Sequence, residues 1–219
     1  MNKYLIILMG LPGSGKTKLG KALEINLNDS KHLQILTILR GIGLKKYSRK
    51  KAQLIEDLFF ATAKKVLNCR NVLILENVFS TSLIKYNALN FARNCKRETL
   101  LIELTTPEII AKKRIKSRPK KDKLVSDSRD PKHYDKSAMR WESIRIDPHK
   151  YPNISTMRFY NHDIVDLSYI ENIHITFQIE PLYSQVLQVI NQEFHVCKIQ
   201  DSGFTIERDR MREEVSSLG

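Results

Sequence analysis

The chain has 219 residues, enough for one α/β domain with a full core and no need of disulfides or metals. A hydrophobic fraction of 42% is ordinary for a globular protein, and no apolar run reaches the length of a membrane span, so a membrane protein is set aside. The net charge of +13, from 37 basic and 24 acidic residues, disfavours acidic surfaces and favours polyanionic partners, with a generally lysine-rich composition as the plainer explanation.

Tyr4–Met9 is short, continuous and apolar, which predicts a strand buried on both faces. It is too short for a signal peptide and runs straight into a glycine-rich turn. Leu19, Ala22, Leu23 and Leu27 then repeat at helical spacing. Gln34–Leu39 reads as a second strand. Ser48 is placed to cap a helix carrying Leu54, Ile55, Leu58, Phe59, Ala63, Val66 and Leu67. Val72–Leu75 is another buried-type strand, ending at Glu76, and a helix through Leu83–Cys95 follows. Thr99–Leu104 predicts the next strand, and Pro107 opens a helix running to about Lys116. Ser117–His133, polar and carrying Pro119 and Pro131, reads as a loop. Asp135 is expected to cap a helix with Met139, Trp141 and Ile144, ended by Pro148 and Pro152. Ile173–Ile179 alternates like a last strand, and Pro181–Phe194 like an amphipathic helix. The alternation of strand and helix implies a three-layer α/β/α fold on a parallel five-stranded sheet. Residues 1–197 make one domain, with a lid at about 117–133 and an unplaced insertion at about 146–171. A charged tail covers 198–219, and neither a linker nor an internal repeat is evident.

Cys69, Cys95 and Cys197 lack CxxC spacing. They suggest no zinc site and fit a reducing, cytoplasmic compartment.

Gly10-Leu-Pro-Gly-Ser-Gly-Lys-Thr17 satisfies G-x-x-x-x-G-K-[ST] in full, between a strand and a helix. Gly10, Gly13 and Gly15 allow the backbone to bend around a phosphate, with the amides of Gly13, Ser14, Gly15, Lys16, Thr17 and Lys18 available to it at a helix N-terminus. Lys16 suits the β- and γ-phosphates and Thr17 a magnesium ion. The expected ligands are therefore ATP, or another nucleoside triphosphate, and Mg2+.

The motif resembles the P-loop kinase group that includes polynucleotide 5′-hydroxyl kinases, zeta-toxin-like kinases and seryl-tRNA kinases. Val72–Glu76 is similar to their third strand and its terminal acid, Thr99–Leu104 with Pro107 to their fourth strand and helix, and Lys113-Arg-Ile-Lys-Ser-Arg118 to their lid start. The resemblance spans roughly residues 3–145, more loosely 172–195. It implies that Glu76 helps hold magnesium and that Arg114 and Arg118 neutralise transferring phosphates, with Arg129 a weaker candidate. Those kinases carry an Asp after the second strand as base for the acceptor hydroxyl. Here the region reads Leu39-Arg-Gly-Ile-Gly-Leu-Lys-Lys, without a carboxylate. Either Glu76 takes part of that role or the acceptor is not a simple hydroxyl.

Lys112–Lys132 holds ten basic residues against three acids, and Arg40, Lys45, Lys46, Arg49, Lys50 and Lys51 form a second basic run. Both suit a nucleic-acid backbone, or are simply solvated faces. Tyr134, Trp141, Phe159 and Tyr160 could stack on bases, although packing in core or lid is the simpler role. His149 and His162 have no assigned partner. The expected activity is transfer of the γ-phosphoryl of ATP to a hydroxyl of a nucleic-acid end or nucleotide-like acceptor. The alternatives are a nucleotide-gated RNA-binding or adaptor ATPase and a small-molecule or toxin-type kinase.

Overall fold

The computed structural model describes residues 3–43, 51–118, 129–162, 168–196 and 198–201. Ser48, the remainder of the second basic run except Arg40 and Lys51, Lys120, Lys121, Lys123, Cys197 and the tail beyond residue 201 lie outside them. One sheet organises the molecule, in the order β2-β3-β1-β4-β5-β6-β7. The strands are β1 (Tyr4–Gly10), β2 (Ser30–Gln34), β3 (Val72–Glu76), β4 (Glu98–Thr105), β5 (Ile154–Tyr160), β6 (Tyr169–His174) and β7 (Lys198–Asp201). The first five are parallel, and β6 turns antiparallel to β5.

β1 and β3 lie inside the sheet with helices packed on both of its faces, and this explains their apolar runs. α1 (Lys16–Asn26) and α7 (Glu180–Phe194) cover one face through Leu19, Leu23, Leu182, Val186 and Ile190. α2 (Ile35–Gly41), α3 (Ala52–Cys69) and α4 (Ser82–Cys95) cover the other, where Ile55, Phe59, Ala63 and Leu67 recur every four residues along α3. α5 (Glu108–Lys116) and α6 (Lys132–Ala138) form a small third cluster against Leu11.

Four expectations need correction. The sheet has seven strands and is mixed, not five and parallel. Gln34–Leu39 is not a strand: β2 ends at Gln34 and α2 begins at once, burying Ile35 and Leu39 one turn apart. A short apolar run supports either conformation, and here the helical face found the core. The helix at Asp135 stops at Ala138, leaving Met139 exposed and 141–147 irregular. Ile173–Ile179 is not a strand either. β6 ends at His174 beyond a register shift, Ser155 Oγ then accepts from Thr176 N, and a 3-10 turn takes over at Phe177–Ile179. The unplaced stretch 146–171 supplies β5, whose buried Ser155 and Thr156 mask its strand character, and the start of β6.

Candidate functional site

β1 lies between β3 and β4, so the crevice beyond its carboxyl end falls where the chain crosses from one side of the sheet to the other. Gly10–Thr17 occupies that crevice. Gly13 (φ 86°) and Gly15 (φ 102°) lie in the left-handed region. A Cβ on Gly13 would stand 2.6 Å from the Ala111 carbonyl oxygen, and one on Gly15 would collide with the Asn161 amide. Lys16 opens α1 yet is only 7% exposed. Its ammonium donates to Gly10 O (2.8 Å), Leu11 O (3.0 Å) and Ser14 Oγ (3.4 Å). Burial, aided by the nearby Arg118 charge and opposed by Glu76, brings its pKa down to about 8. To serve a phosphate, the ammonium must exchange carbonyl partners for phosphate oxygens.

A clamp holds the loop from outside. Asn161 Nδ2 donates to Ser14 O (2.7 Å), and Arg114 donates to Gly13 O (3.2 Å) and Asn161 Oδ1 (3.1 Å). Thr106 Oγ1 donates to Asn161 O at 2.8 Å. A trans peptide points its C=O and N–H in opposite directions, so tying Ser14 O to Asn161 turns the Gly15 N–H away from the clamp. Arg114 therefore touches the back of the loop. The resemblance implied a phosphate-facing lid residue.

On the α1 side of the sheet, Thr17 Oγ1 donates to Glu76 Oε1 at 2.6 Å. Glu76 Oε2 faces His32 Nε2 at 2.8 Å. The approach is close but not aligned as a hydrogen bond, and neither atom has a hydrogen-bond partner among the described residues. Burial pushes the Glu76 carboxyl up, but His32, the Lys16 charge and the Thr17 hydroxyl together hold it below its ordinary value. A hydroxyl and a carboxylate are hard oxygen donors that fit Mg2+. Among the described residues no group of three or more His, Cys, Asp or Glu could cage a metal alone. The donor set thus suits a cation that completes its shell with phosphate and water oxygens.

Arg118, half-buried, lies close enough to Lys16 and His133 for its charge to press on both. Arg129 Nε is tied to Lys116 O at 3.2 Å. The Lys18 side chain turns away to the end of α7, donating to Glu193 O and lying 4.3 Å from the Phe194 ring centroid, which leaves its backbone amide as its contribution to the loop. Lys112 is held by Glu108 and Asp135, both at 2.6 Å, while Arg40, Lys51, Lys113, Lys116 and Lys132 are exposed. Tyr134 and Phe159 are buried, and Trp141 packs its ring 3.7 Å from Lys85 Nζ. Tyr160 stacks on Tyr169. An open cleft beside the loop is lined by Leu11, Pro12, Ser14, Glu103, Tyr134 and Trp141, among others.

Sequence reading missed His32 and Asn161. His32 stands in a strand displaced from the predicted one, and Asn161 closes a strand that was not predicted. The signal for His32 was a glycine: Gly20 lies inside α1, where glycine is unfavourable, and a Cβ there would collide with the His32 ring.

Among solved structures, Kti12 of Chaetomium thermophilum in complex with ADP-AlF3 is similar at 16% identity, with 89% of this chain and 99% of that one covered and a TM-score of 0.54. A candidate kinase from Chloroflexus aurantiacus is similar at 22% identity over 67% of this chain and 83% of that one, with a TM-score of 0.51. These likenesses establish the P-loop kinase-like fold. No curated protein matches the sequence. A family model described as "Chromatin associated protein KTI12" matches residues 4–158, from the first strand through the cradle, Glu76 and the clamp's Arg114 into β5, and the chain accordingly belongs to the KTI12 family.

Proposed function

We propose that this protein binds ATP, or a related nucleoside triphosphate, with Mg2+ and hydrolyses it, and that the bound nucleotide governs its hold on a polyanionic partner. The observation that carries this reading is the Thr17–Glu76–His32 line beside the cradle, together with the absence of any carboxylate in residues 35–43. Acidic chemistry is concentrated where it can orient magnesium and water, and is missing where a kinase of the resembling group activates an acceptor hydroxyl. Gly13–Thr17 and Lys16 would hold the phosphates, Thr17 and Glu76 the magnesium ion, and Arg118 would neutralise developing charge. Magnesium, when bound, supplies charge neutralisation on the β- and γ-phosphates. Support comes also from the Chaetomium thermophilum Kti12, which is complexed with ADP-AlF3.

The polyanion reading rests on exposed Arg40 of α2 and Lys113 and Lys116 of α5. These helices follow β2 and β4 and so leave the sheet at the edge that carries the cradle. RNA is the first partner to try, since a phosphate backbone would bridge these positions.

A second reading is phosphoryl transfer to a hydroxyl of a nucleic-acid end or nucleotide-like molecule. The cleft beside the cradle favours it, because Glu103 there is a carboxylate within the lining. ATP labelled on the γ-phosphate separates the two. Release of inorganic phosphate, stimulated by RNA in a salt-sensitive manner and reduced at least about 100-fold in Lys16→Ala, is expected. Label appearing on 5′-hydroxyl RNA or DNA would put the second reading first. Label on a small molecule, indifferent to nucleic acid and salt, would indicate a small-molecule or toxin-type kinase. No nucleotide binding at all would sink every version.

A further inference from the structure

His32 belongs to no recognised motif, yet its placement is specific. It sits on β2 opposite Ile74, so its side chain shares a sheet face with Glu76, the diagonal neighbour on β3. Its side chain is 3% exposed and that of Glu76 is 8% exposed. Two protein groups address the Glu76 carboxylate, one on each oxygen: the Thr17 hydroxyl on Oε1 at 2.6 Å and the imidazole on Oε2 at 2.8 Å. At that distance the pair is a close contact and not an aligned hydrogen bond, and neither Oε2 nor Nε2 has a hydrogen-bond partner among the described residues. A buried carboxylate held through one oxygen alone can rotate about its terminal bond, and its other oxygen is left unsatisfied. Bonded through Oε1 and hemmed in at Oε2 by the imidazole, it presents one plane to the Thr17 end of the cradle.

The chain also makes room for this imidazole at a cost to α1. Gly20 sits mid-helix, and any Cβ there would strike the His32 ring. An alanine would suit the helix better, so the glycine is explained by the ring and not by the backbone. His32 N also donates to Glu24 Oε1 (3.2 Å), which anchors the start of β2 to α1. Thus α1 carries Thr17, the space for His32 and a tie to its backbone within three turns.

We infer that His32 is a positioning residue for the magnesium–nucleotide site, acting through Glu76: the buried imidazole packed 2.8 Å from Oε2 confines the carboxylate, so that Oε1 and the Thr17 hydroxyl are presented to the cation in one geometry. This rests on the nucleotide reading proposed above. Supporting groups of this kind alter metal affinity about 10- to 100-fold when removed.

The test uses the full chain with Mn2+ in place of Mg2+, because Mn2+ binding to the protein–ADP complex can be titrated directly by electron paramagnetic resonance. His32→Leu fills the same space without a donor, and His32→Gln restores an N–H near the Nε2 position. Wild-type protein binding Mn2+ and ADP, with His32→Leu weakening Mn2+ roughly 10- to 100-fold, leaving metal-free ADP affinity within about twofold, and with His32→Gln recovering most of the loss, is the expected pattern. Gly20→Ala should weaken Mn2+ in the same direction without touching any atom of the cradle. Equal Mn2+ affinity in wild type and a folded His32→Leu, or equal losses in Leu and Gln, would overturn the positioning role while leaving nucleotide binding intact. A wild-type chain that binds no ADP would instead overturn the nucleotide reading itself. Should His32→Leu fail to fold, Gly20→Ala and His32→Gln decide the question by the same titration.

Discussion

At the junction of β1, β2 and β3 one carboxylate, Glu76, serves two partners through separate oxygens, whereas along β4–β6 two carboxylates, Glu103 and Glu171, share one arginine, Arg158. Side-chain exposures of 3% and 8% for His32 and Glu76 contrast with 22–32% for Glu103, Glu171 and Arg158. In the open cluster Arg158 sits 3.2–3.3 Å from its carboxylates and from the Tyr160 hydroxyl, and Tyr160 stacks on Tyr169 at 4.1 Å. Water can replace any of those contacts. In the closed cluster bulk water has little access, so the neighbouring residues set the direction of the carboxylate. The difference teaches that similar acid–base pairs tether strands when solvated and orient a carboxylate when buried.

The same substitution made in both clusters gives the largest contrast. Glu76→Gln should lower the hydrolysis rate roughly 100-fold while metal-free nucleotide binding persists, because an amide does not carry the charge that faces Thr17 and His32. Nucleotide affinity and steady-state phosphate release measured together check this. A smaller effect, and one confined to the closed region, comes from pH. Lys16 holds its proton less tightly folded, with a pKa of about 8, than unfolded, near 10.5. The unfolded chain therefore carries the extra proton across that window, and folding stability climbs as pH rises through it, by at most about 3.5 kcal/mol. Below pH 8 the contribution is flat. Urea midpoints from pH 7 to 10.5 should show this slope in wild type and lose it in Lys16→Met, while ATP affinity moves the other way and falls above pH 8. The smallest expected effect is that of Glu171→Gln, under about 1 kcal/mol by denaturant unfolding and with hydrolysis unchanged. A Glu171→Gln chain that lost hydrolysis would break the comparison, since the open cluster would then act on the chemistry.

Legibility followed burial and continuity. β1, β3 and β4 were readable because each carries an uninterrupted apolar run, Leu5–Met9, Val72–Leu75 and Leu100–Ile102, buried on both faces of the sheet. β5 was not, because Ser155 pairs with Thr176, Arg158 with Glu103, and Thr156 is buried, so a polar string is accommodated in a central strand. Arg114 was identified as a functional candidate, but its direction was not readable. Spacing places it on a helix face, and only the end of β5 reveals that Asn161 and Gly13 O occupy its guanidinium. Lys18 likewise reads as part of the cradle until α7 arrives beside it.

The sequence by itself determined the phosphate cradle, the strand that feeds it, the helix that leaves it and the acid that ends β3. Each of these is encoded within a few consecutive residues, through glycine conformational freedom and local hydrophobic period. Only the tertiary structure decided which groups act on that cradle. Ser14 meets Asn161 across 147 residues, Gly13 meets Arg114 across 101, and Thr17 meets Glu76 across 59. Those meetings depend on strand order and register. A one-residue slip of β2 against β3 would carry His32 to the opposite face, away from Oε2 of Glu76.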